Sequence, residues 1–495
     1  MDNRQSVGTS LISERPAARR SRRVLRRVLV VALAGGAAAG AALALLPGEP
    51  QPRRAARPPA AGPQAGPRAQ ARDQAQALTA VTYGVPAALP GLTALIGRQE
   101  QRVREQPEDA RAWAVLGAAY TERGRRAGDA ADYPKAERAL RASLQVRGTP
   151  GTEALDGLTA LALARRDFPA AKRYGEQALK AAPKRWSAYP PLIDAYTGLG
   201  DYAKARAALD KLLALRTGAE ARPAVRARAA AVYRDRGWRE DAVAQLTDAA
   251  AAARTPAERA AWLAGVGQLA WERGDLPEAL RHFEGALRLD PDQRAAAAGR
   301  ARTLAAQGRT AEALAAYQAA VARQPRPEDL LELGELYESL GQRQPAEESY
   351  ARLREAVARS VAGGVDEELL TGRFEADHGD PWEAVDRLEE EWRRQPGTEV
   401  ADALGWALHR TGADQEALAY ATAATDKTKG GGVRSAAYAF HLGMIEAAVD
   451  RTGPARRHLE EALRINPYFS PLLAPAAREA LRELGGVPDE PPPSE

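Results

Sequence analysis

The sequence contains no cysteine, and of its 495 residues only 5 are histidine and 5 are phenylalanine. The lack of cysteine excludes disulfides, thiolate metal sites and cysteine nucleophiles. Aromatic residues make up 5% of the chain, whereas hydrophobic residues make up 45%, and alanine dominates this apolar set. Because alanine is the best helix former and a poor strand residue, the composition predicts an all-α chain with close helix contacts.

The sequence also lacks the motifs of common enzymes. It contains no phosphate-binding G-x-x-x-x-G-K-[ST], no H-E-x-x-H zinc motif and no G-x-S-x-G nucleophile elbow. His378 stands beside Asp377 and Asp380, but this group falls in an expected inter-helix turn, which accounts for it. We therefore expect no catalytic, cofactor-binding or metal-ligating residue and no enzyme activity.

Positive charge is concentrated near the N-terminus. Residues 1–77 contain 13 arginines and 4 acidic residues, a charge of +9, so the rest of the chain carries −4 of the total of +5. Non-specific binding to nucleic acid depends on many basic side chains that neutralise phosphates. The mildly acidic body therefore disfavours a nucleic-acid partner.

Residues 28–46 form one uninterrupted apolar run, VLVVALAGGAAAGAALALL. A helix of this length spans about 28 Å, close to the roughly 30 Å hydrocarbon core of a bilayer. The arginines of the basic tail, residues 1–27, favour a cytoplasmic N-terminus by the positive-inside rule. The sequence thus predicts a single-pass protein of the cell membrane whose chain after residue 46 is extracytoplasmic.

Two further interpretations of this run stay open. Ala42-Leu43-Ala44 offers an A-x-A cleavage site, which would make the run a removed signal peptide and the protein secreted. Gly36 and Gly40 form a G-x-x-x-G, a pattern that lets two membrane helices approach closely and would support a homodimer.

The segments around the main body differ from it in composition. Residues 47–77 are rich in proline, alanine and arginine and are expected to be a disordered spacer. Apolar residues at helical spacing predict a leading cap helix within residues 78–109 and a closing helix within residues 468–486. The acidic residues 487–495 are expected to be a disordered tail.

The sequence between the caps repeats itself. GRTAEALAAYQAAVARQP ends at Pro325 and matches GDLPEALRHFEGALRLDP, which ends 34 residues earlier at Pro291. Similar units begin at Gly200, Gly237, Gly379 and Gly412. A period of this length indicates helix pairs that each bury an open face on the next pair.

Residues at set positions identify the kind of repeat. First helices carry a large residue, then Leu-Gly and Tyr, and second helices carry Ala, an aromatic residue and Ala. Clear examples are Trp113, Leu116, Gly117, Tyr120, Ala279, Phe283, Ala286, Ala313, Tyr317 and Ala320. This pattern resembles the tetratricopeptide repeat family. The resemblance implies a right-handed superhelical solenoid of about ten helix-turn-helix repeats over residues 110–467.

Some copies depart from the pattern. The first has about seven extra residues after Gly124, counted against the family pattern. The fourth has Arg226, and the eighth Glu368, where a large apolar residue is expected. Each departure is either a site or a decayed repeat.

The resemblance also implies a concave groove, lined by the first helix of each pair at positions two, five, nine and twelve of the repeat. The groove residues carried over from the family are Asp194, Arg234, Gln268, Trp271, Arg302, Glu335, Glu338, Arg373, Trp406 and His409. Aromatic and arginine side chains dominate binding hot spots, although Trp271 and Trp406 would suit a core equally well.

The implied function is therefore a non-enzymatic scaffold, anchored in a membrane, that binds a protein or an extended peptide in this groove. The alternative is a nucleic-acid-binding solenoid resembling pentatricopeptide proteins, which the Leu-Gly, Tyr and Ala-aromatic-Ala pattern fits less well.

Overall fold

The computed structural model describes residues 67–147, 151–427 and 432–485, which belong to one compact unit. These residues form 23 α-helices and no strand, so the expected all-α fold is confirmed for them. The helices are α1 Pro67–Tyr83, α2 Leu89–Glu105, α3 Ala110–Ala127, α4 Tyr133–Arg147, α5 Thr152–Ala164, α6 Phe168–Ala181, α7 Tyr189–Gly198, α8 Tyr202–Ala214, α9 Arg222–Asp235, α10 Arg239–Ala252, α11 Pro256–Glu272, α12 Leu276–Leu289, α13 Arg294–Ala306, α14 Thr310–Arg323, α15 Pro327–Ser339, α16 Arg343–Ala362, α17 Glu368–His378, α18 Pro381–Arg394, α19 Thr398–Arg410, α20 Asp414–Thr425, α21 Ala436–Ala448, α22 Thr452–Ile465 and α23 Leu473–Glu483.

Helices α3 to α22 form ten helix-turn-helix pairs, which we number copy 1 (α3 and α4) to copy 10 (α21 and α22). Within the described residues the two helices of each copy pack on each other, and successive copies pack side by side. Each copy thereby covers the apolar face that its neighbour leaves open, as a solenoid requires.

The N-terminal end of the array differs from the expected boundaries. Residues 67–77, expected to be part of the spacer, are helical, and α1 and α2 together precede copy 1 where a single cap helix was expected. Proline is tolerated in the first turn of a helix, so Pro67 can begin α1. Ala77 and Ala80 of α1 are buried, and this burial holds the helix against the array.

Several expected segments lie outside the described residues: the basic tail, the apolar run 28–46, most of the spacer and the acidic tail at 487–495. In the part of the chain that the structure describes, no helix is both long and apolar enough to cross a membrane.

Glycine ends the first helix of most copies. Gly274 and Gly308, which follow α11 and α13, both have φ of 74°. This left-handed conformation is open to glycine without steric cost, so the chain can turn sharply into the second helix.

Glycines within first helices make room for the large side chain of the second helix. Phe283 of α12 is only 1% exposed and lies between Gly267 of α11 and Gly299 of α13. A Cβ atom added at Gly267 would lie 2.8 Å from Cε1 of Phe283. The Leu-Gly and aromatic positions of the repeat therefore form one contact, which sets how closely neighbouring helices approach.

Two departures from the repeat pattern form ion pairs within their own copies. Arg226 of α9 pairs with Asp248 of α10, and Glu368 of α17 accepts a hydrogen bond of 2.7 Å from Nη1 of Arg387 of α18. A charge at an apolar position is thus compensated by the opposite charge on the second helix.

The array winds back on itself, so that residues far apart in sequence meet along a line that we call the seam. The turns inside copies 2, 3, 4 and 5 contact the boundaries that follow copies 7, 8, 9 and 10. The hydroxyls of Tyr202 and Thr398, 196 residues apart, lie 2.7 Å from each other. At the last seam contact, Nδ2 of Asn466 donates to the backbone oxygen of Trp271 at 2.8 Å.

Backbone groups contribute to the seam as well. The amide of Asp366 donates to the carbonyl of Arg165 at 2.8 Å, and the amide of Gly432 donates to the carbonyl of Asp235 at 2.6 Å. Hydrogen bonds of this kind contribute about 0.5–1.5 kcal/mol each, so the seam is held by many weak polar contacts.

The extra residues of copy 1 close the first superhelical turn of the array. Arg126 pairs with Asp290, which is 164 residues away at the boundary between copies 5 and 6. Arg294 donates to the carbonyl of Ala127, which terminates α3. The short 3-10 helix that follows, Ala130–Asp132, contacts α16. The insertion therefore has a structural use, since it joins copy 1 to copies 5, 6 and 7.

We expect Gly267→Ala to lower the free energy of unfolding by about 1–2 kcal/mol, because Phe283 is enclosed and cannot move away from the new methyl group. The measurement is urea denaturation followed by circular dichroism. Gly285→Ala on α12 is the matched control, because an added Cβ there meets no atom closer than 3.6 Å. It should be neutral or raise the free energy by about 0.5–1 kcal/mol. Equal losses in both variants would contradict the contact.

Candidate functional site

A cavity of about 1100 Å³ lies inside the first turn of the array. Its wall is formed by the first helices of copies 1 to 6, namely α3, α5, α7, α9, α11 and α13, and by the loop between α1 and α2. The first helices face this cavity because the second helices cover them from outside. The contacts of Arg126 and Arg294 close the ring of six copies around it.

Small residues form much of the cavity wall. Positions two, five, nine and twelve of copy 1 are Arg111, Ala114, Ala118 and Thr121, and all four line the cavity. Alanine and glycine leave space between the helices, and the partly buried Trp186 and Trp262 add aromatic surface. The wall therefore offers an apolar floor with few bulky obstructions.

All four carboxylates of the wall are paired with arginine. Asp156 accepts a hydrogen bond of 2.8 Å from Nε of Arg185, and Glu153 lies 3.8 Å from the same guanidinium. Burial raises the pKa of Asp156, although the charge of Arg185 opposes this effect. The other two pairs are Asp194 with Arg228 and Glu122 with Arg125.

Arginines outnumber carboxylates in the wall. The six that form ion pairs are Arg125, Arg126, Arg166, Arg185, Arg228 and Arg326. Arg111 and Arg294 also line the cavity, and neither forms an ion pair with any described residue. Burial, with the nearby charge of Arg326, lowers the pKa of Arg294 to about 10.

Two of the ten predicted groove residues line this cavity. Asp194 of α7 pairs with Arg228, and burial raises its pKa against that charge. Gln268 of α11 donates to Oε1 of Glu272 at 3.2 Å.

Two more predicted residues, Arg234 of copy 4 and Arg302 of copy 6, each pair with a carboxylate of the copy that follows. Arg234 binds both carboxylate oxygens of Glu272, with Nε 2.9 Å from Oε2 and Nη2 2.8 Å from Oε1. Arg302 lies 3.6 Å from Glu332, and its Cζ is 5.2 Å from the ring centre of Trp271. Trp271, also predicted, is 5% exposed and belongs to the apolar core.

The remaining predicted residues lie in copies 7 to 9. Glu338 accepts a hydrogen bond of 2.7 Å from the hydroxyl of Tyr350, and His378 lies 3.2 Å from Glu338 and 3.7 Å from Glu335. Arg373 is exposed on α17.

The last two predicted residues, Trp406 and His409, both make contacts within the array. Trp406 is 7% exposed, stacks on His441 with ring centres 4.4 Å apart, and donates to Oδ1 of Asp377 at 3.0 Å. Nδ1 of His409 lies 2.5 Å from Asp414. Both tryptophans of the prediction are thus buried, and the structure does not gather the ten residues into one groove.

The prediction left out residues that the cavity uses, above all Arg111, Arg185, Trp186 and Trp262. The sequence was sufficient to predict Arg111, because this residue occupies position two of copy 1. Trp186 begins copy 3 in a short 3-10 helix ahead of α7, at position one of the repeat, which is not among the four groove positions. Among described residues, no group of three or more histidine, aspartate or glutamate side chains could hold a metal ion.

A profile of the tetratricopeptide repeat family matches residues 160–221, 228–293 and 267–329. Tetratricopeptide repeats are therefore present in this part of the chain. A sequence search of curated proteins finds no match.

Solved structures with a similar fold differ widely from this chain in sequence. The human IFIT1 dimer with m7Gppp-AAAA is 17% identical, with a TM-score of 0.45, over 68% of this chain and 77% of that one. Yeast Tom70 is 12% identical, with a TM-score of 0.34, over 74% and 96%. Pseudomonas aeruginosa pilF is 22% identical, with a TM-score of 0.34, over 41% and 90%.

Asp235, beside Arg234, gives a testable pH dependence. Burial raises its pKa to about 6; the charge of Arg234 opposes this, and Glu399, Glu272 and Asp194 add to it. Because the folded state then holds a proton that the unfolded state releases, this group makes stability fall as the pH rises from about 4 to 6.

We expect Asp235→Asn to remove that fall and to raise the free energy of unfolding by about 3 kcal/mol at pH 8. Below pH 4 the variant and the parent should be equally stable. Urea denaturation across this pH range provides the measurement, with the exposed Asp241→Asn as control. A parallel pH profile for Asp235→Asn and the parent would refute the assignment.

Proposed function

We propose that this protein is a non-enzymatic scaffold that binds an extended polypeptide segment of a partner protein in the cavity of copies 1 to 6. The observation that supports it is the cavity itself, which has an apolar floor, two tryptophans and charged groups along its wall. Tetratricopeptide repeats are typical of protein–protein interaction, and their first helices are the ones that line this cavity.

An extended segment suits the cavity better than a folded domain does. The wall is formed by six helices around about 1100 Å³, slightly more than the roughly 300–1,000 Å³ of small-ligand sites and far too little for a folded domain. Repeated contacts along parallel helices can recognise both the length and the sequence of such a segment.

We further propose that residues 28–46 hold the scaffold in the cell membrane, with the repeats on the extracytoplasmic side. The support is the apolar length of this run and the arginines before it. A homodimer through Gly36 and Gly40 is part of the same proposal, since small residues at this spacing allow close helix contact.

A photo-reactive residue placed at Ala118, which faces the cavity, should cross-link a partner protein in cells of the source organism. The same residue at Arg138, which is exposed and on the second helix of the same copy, is the matched control. The cross-link should disappear when Ala227→Trp fills the opposite wall. Equal cross-linking from both positions, or cross-linking that survives Ala227→Trp, would count against the cavity as the binding site.

The membrane proposal predicts that the full chain sediments with membranes and that a chain lacking residues 28–46 does not. Protease added to intact cells with a permeable outer layer should cleave the repeats but leave the first 27 residues protected. Protection of the repeats until lysis would reverse the proposed orientation.

A further inference from the structure

The cavity wall contains more positive charge than it can compensate internally. Each carboxylate of the wall already has an arginine partner, and two arginines remain without one. Arg111 is exposed at the start of α3. Arg294 is at the other end, where Nη1 donates to the carbonyl of Ala127 and to Oε1 of Gln324, the latter at 2.9 Å.

The surroundings of Arg294 favour an added negative charge. Its Nη2 atom is buried and has no hydrogen-bond partner, and both groups that Nη1 contacts are neutral. Burial of a guanidinium is costly unless opposite charge compensates it, and the nearby carboxylates of Asp329 and Glu328 compensate Arg294 only in part, since its pKa stays lowered. A carboxylate brought by a ligand would offset that cost.

The spacing of the two arginines defines a length. From residue 111 to residue 127, α3 rises about 24 Å along its axis. An extended polypeptide advances roughly 3.3 Å per residue, so it covers this distance in about seven residues. Between the two ends the segment would run over Ala114 and Ala118, which leave room for small or apolar side chains.

We propose that the partner segment is acidic, with two carboxylate side chains about seven residues apart that pair with Arg111 and Arg294. This inference rests on the proposed function and specifies the chemistry of the segment. The cavity wall is positively charged, with eight arginines and four carboxylates, whereas the chain after residue 77 carries −4 as a whole.

A single-stranded nucleic acid fits the wall less well. It carries a phosphate at every nucleotide, so it would meet Glu122, Glu153, Asp156 and Asp194 along the same path. A peptide with two separated carboxylates avoids these four groups.

The experiment is selection of a phage-displayed library of random 12-residue peptides on the immobilised full chain in detergent. We expect enriched sequences with two Asp or Glu about seven positions apart. Synthetic fluorescent copies of them should bind about tenfold more weakly to Arg111→Gln and to Arg294→Gln, because each variant removes one charge-assisted hydrogen bond. The controls Arg138→Gln and Arg300→Gln, in copies 1 and 6 but outside the cavity wall, should bind as the parent does.

The possible results separate the two proposals. If the enriched peptides lack acidic pairs but no longer bind to the Ala227→Trp variant, this inference is overturned and the proposed function stands. No enrichment above the display background would overturn both. Tight binding of a 20-nucleotide single-stranded RNA that depends on Arg111 would replace the peptide with a nucleic acid.

Arg294→Gln also removes a contact that closes the ring, so its thermal unfolding is measured alongside. If it unfolds early, Arg111→Gln decides the result alone, since Arg111 is exposed and makes no ion pair with a described residue. Unchanged peptide affinity in a folded Arg111→Gln protein would contradict the proposal.

Discussion

The contacts along the seam are the constraint on which the rest of the structure depends. Helix pairs that only stack would leave one long groove open to solvent. Here the turns of copies 2 to 5 meet the boundaries after copies 7 to 10, always five copies further along. This constant offset requires each copy to rotate by a similar amount. The contact of Phe283 with Gly267 and Gly299 shows how that rotation is fixed, because it sets the separation of successive helices.

Two kinds of interaction therefore hold the array. Apolar burial joins neighbouring copies, with Phe283, Leu304 and Tyr420 almost fully enclosed, whereas hydrogen bonds and ion pairs join successive turns. Apolar contacts are strong and insensitive to direction, while polar contacts are weak singly and need correct alignment. The stacking thus provides most of the stability, and the seam determines the shape that the stack adopts around the cavity.

Local features of the fold could be predicted from the sequence because they repeat. The turn glycines, the Leu-Gly pairs and the buried aromatics recur with a fixed period, and Gly274, Gly267 and Phe283 occupy these three kinds of position in the structure. The seam could not be predicted in this way. Its partners, such as Trp271 and Asn466, lie 195 residues apart, and no local pattern marks them. The insertion of copy 1 looked like either decay or a site, and only the structure shows Arg126 bound to Asp290.

The candidate site, like the fold, could be predicted from the sequence only where it depends on repeated positions. The rule for first-helix positions selects Asp194 and Gln268, which line the cavity, and it also selects Arg111 when applied to copy 1. It does not tell which copies enclose a cavity, because that depends on where the ring closes. In later copies the same positions serve contacts within the array, as Trp406 does when it stacks on His441 and binds Asp377.

The most direct test of this account uses the absence of cysteine. In the double variant Tyr202→Cys and Thr398→Cys, the two thiols are the only ones in the chain and replace side chains whose hydroxyls lie 2.7 Å apart across the seam. A short bis-maleimide added to the native protein should join them, with a gel shift that is absent when the reaction is run in urea and with an unchanged circular dichroism spectrum. A native, fully helical protein in which the two thiols are never joined would show that successive turns do not touch, and the seam would then not exist.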